Sequence, residues 1–132
     1  MRRNRSIPDS VIIPELTYRD VREAVDWLCR VFGFRERLQI GTHRSQLVSG
    51  DAAIVVKEGD NRGASILMRV ADVDRHHAHS KESGAKILNP PADHAYGERQ
   101  YVVEDIGGHR WTFSQTIADS HPRDWGGVLL ED

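Results

Sequence analysis

The sequence predicts an α+β fold made of two tandem β-α-β-β-β modules, on three observations. Residues 11–18 are rich in β-branched and aromatic types and lead into Asp20-x-x-Glu23, a variant of the helix capping box. Val21, Ala24, Val25, Leu28, Cys29 and Phe32 then recur at spacings of three and four until Gly33 stops the helix. The same order returns in the second half, where the strand-like residues 65–70, the cap Asp72, a polar helix and the stop Gly84 follow one another. The caps lie 52 residues apart and the stops 51, so strand, cap, helix and glycine keep register as a repeated supersecondary unit.

Each helix is followed by candidate strands. In the first half these are residues 35–40, 46–49 and 52–57, the last two joined by Gly50-Asp51, which suits a two-residue hairpin with glycine first. In the second half they are residues 86–88, 99–104 and 109–115, with Asp105-Ile106-Gly107-Gly108 as the last turn. Residues 89–98, carrying Pro90 and Pro91, read as an extra loop. The domain is expected over 10–116, as modules 10–58 and 64–116, between an N-terminal tail (1–9) and a C-terminal tail (117–132).

Composition narrows the class. The chain has 132 residues, 39% apolar and 29% charged, with a formal net charge of -2. That excludes a disordered chain, and no apolar run is long enough to span a membrane. Met1-Arg2-Arg3-Asn4-Arg5 opens like a signal peptide, but Pro8, Asp9, Pro14 and Glu15 interrupt any apolar stretch, so a cytoplasmic protein is expected. The lone Cys29 forms no internal disulfide and falls on the apolar stripe of helix one, as core rather than nucleophile. The basic start reads as a solvated tail, because the overall charge is slightly acidic; no nucleic-acid partner is expected. There is no Gly-x-Ser-x-Gly elbow and no phosphate-binding glycine loop. His76, His77 and His79 cluster on the second helix; His76 and His79 read as a solvated or partly packed face and His77 as a core-facing ring. His109 reads as a structural contact after its turn.

Several segments carry a resemblance. They are Tyr18-Arg19-Asp20 through Phe32-Gly33-Phe34, Val70-Ala71-Asp72 through Gly84-Ala85, Tyr96-Gly97-Glu98-Arg99, and Gly108-His109-Arg110-Trp111-Thr112-Phe113. Together they resemble the vicinal oxygen chelate superfamily, most closely its small single-domain glyoxalase/bleomycin-resistance members, over about residues 10–115. The resemblance implies that the two modules form a mixed, half-open barrel around a cleft. It also places the metal-ligand positions of metal-using members near Ile13, Ile54, Ser65 and Thr112. None is a His, Glu or Asp, and a divalent catalytic site needs several converging O or N donors. Glu15, on the same strand face as Ile13, is the one possible substitute. No cofactor and no metal site are therefore expected.

Those positions face the cleft, and strand alternation extends the set. The expected ligand-binding cleft is Ile13, Glu15, Thr17, Ile54, Ser65, Leu67, Arg69, Arg110 and Thr112, with Arg99 and Tyr101 at its mouth or beneath the Pro90-Pro91 loop, serving structure or ligand. Apolar walls with a few polar anchors suit a small molecule. The expected function is a small-molecule binding protein holding an organic ligand without catalytic metal. The alternative is a metal-dependent glyoxalase-type lyase, isomerase or dioxygenase. A homodimer is expected, with Trp27, Val31 or the apolar tail residues Trp125, Val128, Leu129 and Leu130 at its interface.

Overall fold

A computed structural model describes residues 4–60 and 63–131. The element order is β1 (Glu15–Tyr18), α1 (Val21–Phe32), β2 (Arg35–Ile40), β3 (Arg44–Ser49), β4 (Ala52–Glu58), β5 (Ser65–Arg69), α2 (Val73–Glu82), β6 (Lys86–Asp93), β7 (Glu98–Glu104) and β8 (Arg110–Thr116), then a 3-10 turn (Pro122–Trp125). The strands form two four-stranded mixed sheets rather than one closed sheet, in the orders β1-β4-β3-β2 and β5-β8-β7-β6. The two orders are the same order, so the repeat legible in the sequence is real. Asp20 and Asp72 each cap a helix by accepting the N–H three residues on, and Gly33 and Gly84 each follow a helix with positive φ.

By chain contacts the molecule divides into two units: Met1–Ala64 with Asp105–His109, and Ser65–Glu104 with Arg110–Asp132. In the first, β1 runs parallel to β4 and the other pairs are antiparallel. Helix α1 lies against β3 and β4. Its Val21, Ala24, Val25, Leu28, Val31 and Phe32 are buried, as are Leu16, Tyr18, Leu47, Ile54 and Val56 of the sheet. Val31 is therefore spent on its own unit, and Trp27 stands edge-on to Phe32. The turn that links β7 to β8 is part of this unit. His109 Nδ1 accepts the Ala64 N–H, so Nε2 carries the ring proton and donates to the Thr17 carbonyl at 2.7 Å.

In the second unit β5 runs parallel to β8, and α2 lies against β6, β7 and β8. The Gln115 side chain accepts the Val73 N–H at the helix start. Trp111, Phe113, Tyr101 and Val103 are buried. One expectation changes here. The strand expected over 86–88 continues to Asp93, because β6 lies at the end of the sheet, where the missing N–H groups of Pro90 and Pro91 cost few ladder bonds. His76, on the face expected to be solvated or partly packed, packs on Phe113 with ring centroids 4.0 Å apart, and its Nδ1 lies 2.5 Å from the Tyr101 hydroxyl. Among the described residues no helix is long and apolar enough to cross a membrane.

Candidate functional site

In each unit one sheet face lies against the helix and the other is open. On the first sheet, pairing sets the faces: Glu15 opposes Val55, Thr17 opposes Lys57, and Lys57 and Val55 oppose Arg44 and Gln46. The open face therefore carries Glu15, Thr17, Arg44, Gln46, Val48, Val55 and Lys57. Glu15 accepts from Lys57 at 2.9 Å and from Arg44 at 3.1 Å. Those bonds, Lys57 first, hold its carboxyl below the usual carboxylate range.

Part of this face is covered by the chain's own start. Gln46 is 5% exposed. Its amide donates to the Ser6 carbonyl at 2.9 Å and accepts from Arg37 at 2.6 Å. Arg37 also donates to the Arg5 carbonyl, and the Ser10 hydroxyl donates to the Asp51 carbonyl. Pro8 is buried. The expected solvated tail is thus a strap across the sheet, and it walls a groove of about 590 Å³ lined by Pro8, Asp9, Val11, Arg35, Arg37 and Val48 among others.

The open face of the second sheet carries Ser65, Leu67 and Arg69 of β5, Arg110, Thr112 and Ser114 of β8, and Glu98, Gln100 and Val102 of β7. Leu67 is 69% exposed. A chain of donors crosses the face: Tyr96 to Gln100 at 3.0 Å, Gln100 to Ser114 at 3.0 Å, and Ser114 to Glu98 at 2.6 Å. Ser114, then Thr116, holds the Glu98 carboxyl below its usual range.

The expected site residues thus fall into two groups. Glu15 and Thr17 share one open face, and Ser65, Leu67, Arg69, Arg110 and Thr112 share the other; Ile13 lies half-buried just before β1. Three expected placements are corrected. Ile54 is 4% exposed and lies on the helix side, because β4 is turned one residue from the expected alternation. Lys57 was the available signal: the expected parity would send its charge beneath the helix. Arg99 and Tyr101 also point to the helix side. Arg99 bonds Asp74 of α2 and Asp93, while Tyr101, opposite Phe113, is bonded to His76 and Ser80. Burial pushes the Tyr101 hydroxyl up to about 12. Gln46, Arg37, Glu98 and Gln100 were missed, because their place depends on strand pairing that no local pattern fixes.

The residues at the expected ligand positions do not form a divalent-metal set. Ile13 and Ile54 have no donor atoms, the Glu15 carboxylate is engaged by two cations, and Ser65 and Thr112 offer only hydroxyls. Among the described residues no group of three His, Cys, Asp or Glu is placed to hold a metal ion. Burial pushes the half-buried Cys29 thiol up, away from nucleophilic use.

Residues 11–113 match the family model "Glyoxalase/Bleomycin resistance protein/Dioxygenase superfamily". Among solved structures the chain is similar to TioX from Micromonospora sp. ML1, at 37% identity over 81% of this chain and 98% of that one, with TM-score 0.75. A lactoylglutathione lyase from Agrobacterium tumefaciens (13% identity, 91% and 98% covered, TM-score 0.71) shares the fold. So does the fosfomycin resistance protein FosX from Listeria monocytogenes (16%, 83% and 94%, TM-score 0.68). A search of curated proteins finds no match.

Proposed function

From its membership of the glyoxalase/bleomycin resistance protein/dioxygenase superfamily, to which the chain belongs, we propose that it is a small-molecule binding protein that holds an organic ligand without a catalytic metal. The observation that carries this reading is the engagement of Glu15. The one carboxylate near an expected ligand position bonds both Lys57 and Arg44, which leaves an apolar and cationic surface rather than a metal-binding one. Val48 supplies apolar contact on the first sheet, and Leu67 beside Arg69 and Arg110 does so on the second. The protein works as a homodimer in a reducing, cytoplasmic setting, in keeping with its unpaired Cys29.

The test is a fluorescence titration of the purified protein with organic acids and aromatic natural products, with and without EDTA. Saturable binding that EDTA leaves unchanged supports the reading. Turnover of a glyoxalase-type substrate that EDTA abolishes overturns it in favour of the metal-dependent enzyme.

A further inference from the structure

We infer that residues 5–10 are a self-inhibitory strap over an organic-anion site on the open face of the first sheet, and that ligand binding and strap opening are coupled. The inference rests on the ligand-binding reading above and names its ligand class. Three bonds between residues far apart in sequence fasten the strap: Gln46 to the Ser6 carbonyl, Arg37 to the Arg5 carbonyl, and Ser10 to the Asp51 carbonyl. The fastening is polar and residues 4–7 are exposed, so the apolar cost of opening is mainly the seat of buried Pro8.

Charge identifies the ligand. With the strap closed, Asp9 lines the groove beside Arg35 and Arg37, and Arg37 is occupied by two acceptors. With it open, Asp9 leaves and Arg37 loses the Arg5 carbonyl. Arg35 and Arg37 then line the groove with Val48, while Arg44 and Lys57, engaged by Glu15, lie at the other end of the same sheet face. Two arginines beside apolar Val48 and Val11 recognise an amphiphilic anion, such as an aromatic sulfonate or carboxylate.

Trypsin reports opening directly, because the scissile carbonyl after Arg5 is the one that Arg37 holds. In a population-shift scheme, cleavage rate and apparent affinity both scale with the open fraction. The probe is 8-anilinonaphthalene-1-sulfonate, and cleavage is followed as the chain beginning at Ser6. On the full chain, Gln46→Leu removes one fastening bond and is expected to raise cleavage and to tighten probe binding by the same factor, about 5–10-fold. Saturating probe speeds cleavage of the wild type, and Arg35→Ser weakens the probe. Ser10→Ala carries the same paired readouts should Gln46→Leu not fold.

Faster cleavage with unchanged probe affinity overturns the coupling and leaves the ligand-binding reading standing. Faster cleavage with no probe binding to any form overturns the organic-anion class. Unchanged cleavage in both Gln46→Leu and Ser10→Ala overturns the strap.

Discussion

The Tyr18 hydroxyl donates a 2.6 Å hydrogen bond to the carboxylate of Asp105, 87 residues away in sequence. The other carboxylate oxygen accepts the N–H groups of Gly107 and His109, so one buried aspartate both shapes the turn and receives the end of β1. Burial, then the Asp105 charge, pushes the Tyr18 hydroxyl above its ordinary range, so it stays a donor at any physiological pH.

Removing that donor leaves a buried carboxylate short of a partner. Tyr18→Phe is expected to lower stability by about 1.5–3 kcal/mol, measured by urea denaturation. A loss below about 0.5 kcal/mol means that solvent reaches Asp105.

Gly107 tests the same contact by shape. A Cβ there would stand 2.4 Å from the Tyr18 ring, and the buried ring has little room to retreat. Gly107→Ala is expected to cost about 1–3 kcal/mol through overpacking. Gly107→Ala in a Tyr18→Ala background should cost much less, and an equal loss in both backgrounds counts against the clash.

His76 makes stability depend on pH. Burial, with the His79 charge adding to it, pushes its ring down to about 4. The unfolded chain takes up this proton near pH 6.5, whereas the folded chain does so only near 4. Between those values the unfolded state binds more protons, so stability falls as pH falls through that window. Allowing for partial exposure, the loss is about 2 kcal/mol. His76→Leu should flatten the stability profile between pH 6.5 and 4.5, relative to wild type. Parallel profiles for the two proteins would place the ring in solvent.

The architecture was legible because two local signals recur: an aspartate cap with an apolar or polar helix behind it, and a glycine stop. The open faces were legible on β1, β5 and β8, where alternation starts from a residue of known side. They failed on β4, whose alternation was right in period but wrong in phase. Phase is set by which residue pairs with Glu15, and that choice is made across the sheet. How far His76 turns inward was not legible for a related reason. A helix made mostly of polar residues gives no apolar stripe to show which histidine turns inward. The strap has no periodic signal at all, since its carbonyls are bound by side chains 32 and 40 residues away.

Metal content offers an independent check of the donor argument. Protein purified without a histidine tag and dialysed is expected to hold substoichiometric zinc, nickel, iron and manganese, with a melting temperature that EDTA leaves unchanged. Stoichiometric metal that Glu15→Gln removes would mean that Glu15 exchanges its Arg44 and Lys57 bonds for an ion.

The last prediction concerns assembly through the C-terminal tail. Its first half is fixed to its own unit: the N–H groups of Ile117 and Ala118 bond the Gly97 carbonyl, and Trp125 stands edge-on to Tyr96. Gly97 has φ 82°, and a Cβ there would meet the Ala118 carbonyl at 2.4 Å, so this seat accepts glycine alone. Beyond the turn the anchoring ends, and Val128 is 84% and Leu130 89% exposed. Covering each such side chain stabilises an assembly by about 1.5–3 kcal/mol, so a second copy that covers them gains a useful share of a dimer interface. Sedimentation at tens of micromolar is expected to give a dimer of this 15.0 kDa chain. Val128→Ser with Leu130→Ser should raise its dissociation constant by at least about tenfold. Gly97→Ala, which displaces the anchored half, should do the same without touching an apolar residue. A 15.0 kDa monomer in the wild type sinks the dimer. A dimer that neither variant weakens keeps the assembly and moves its interface away from the tail.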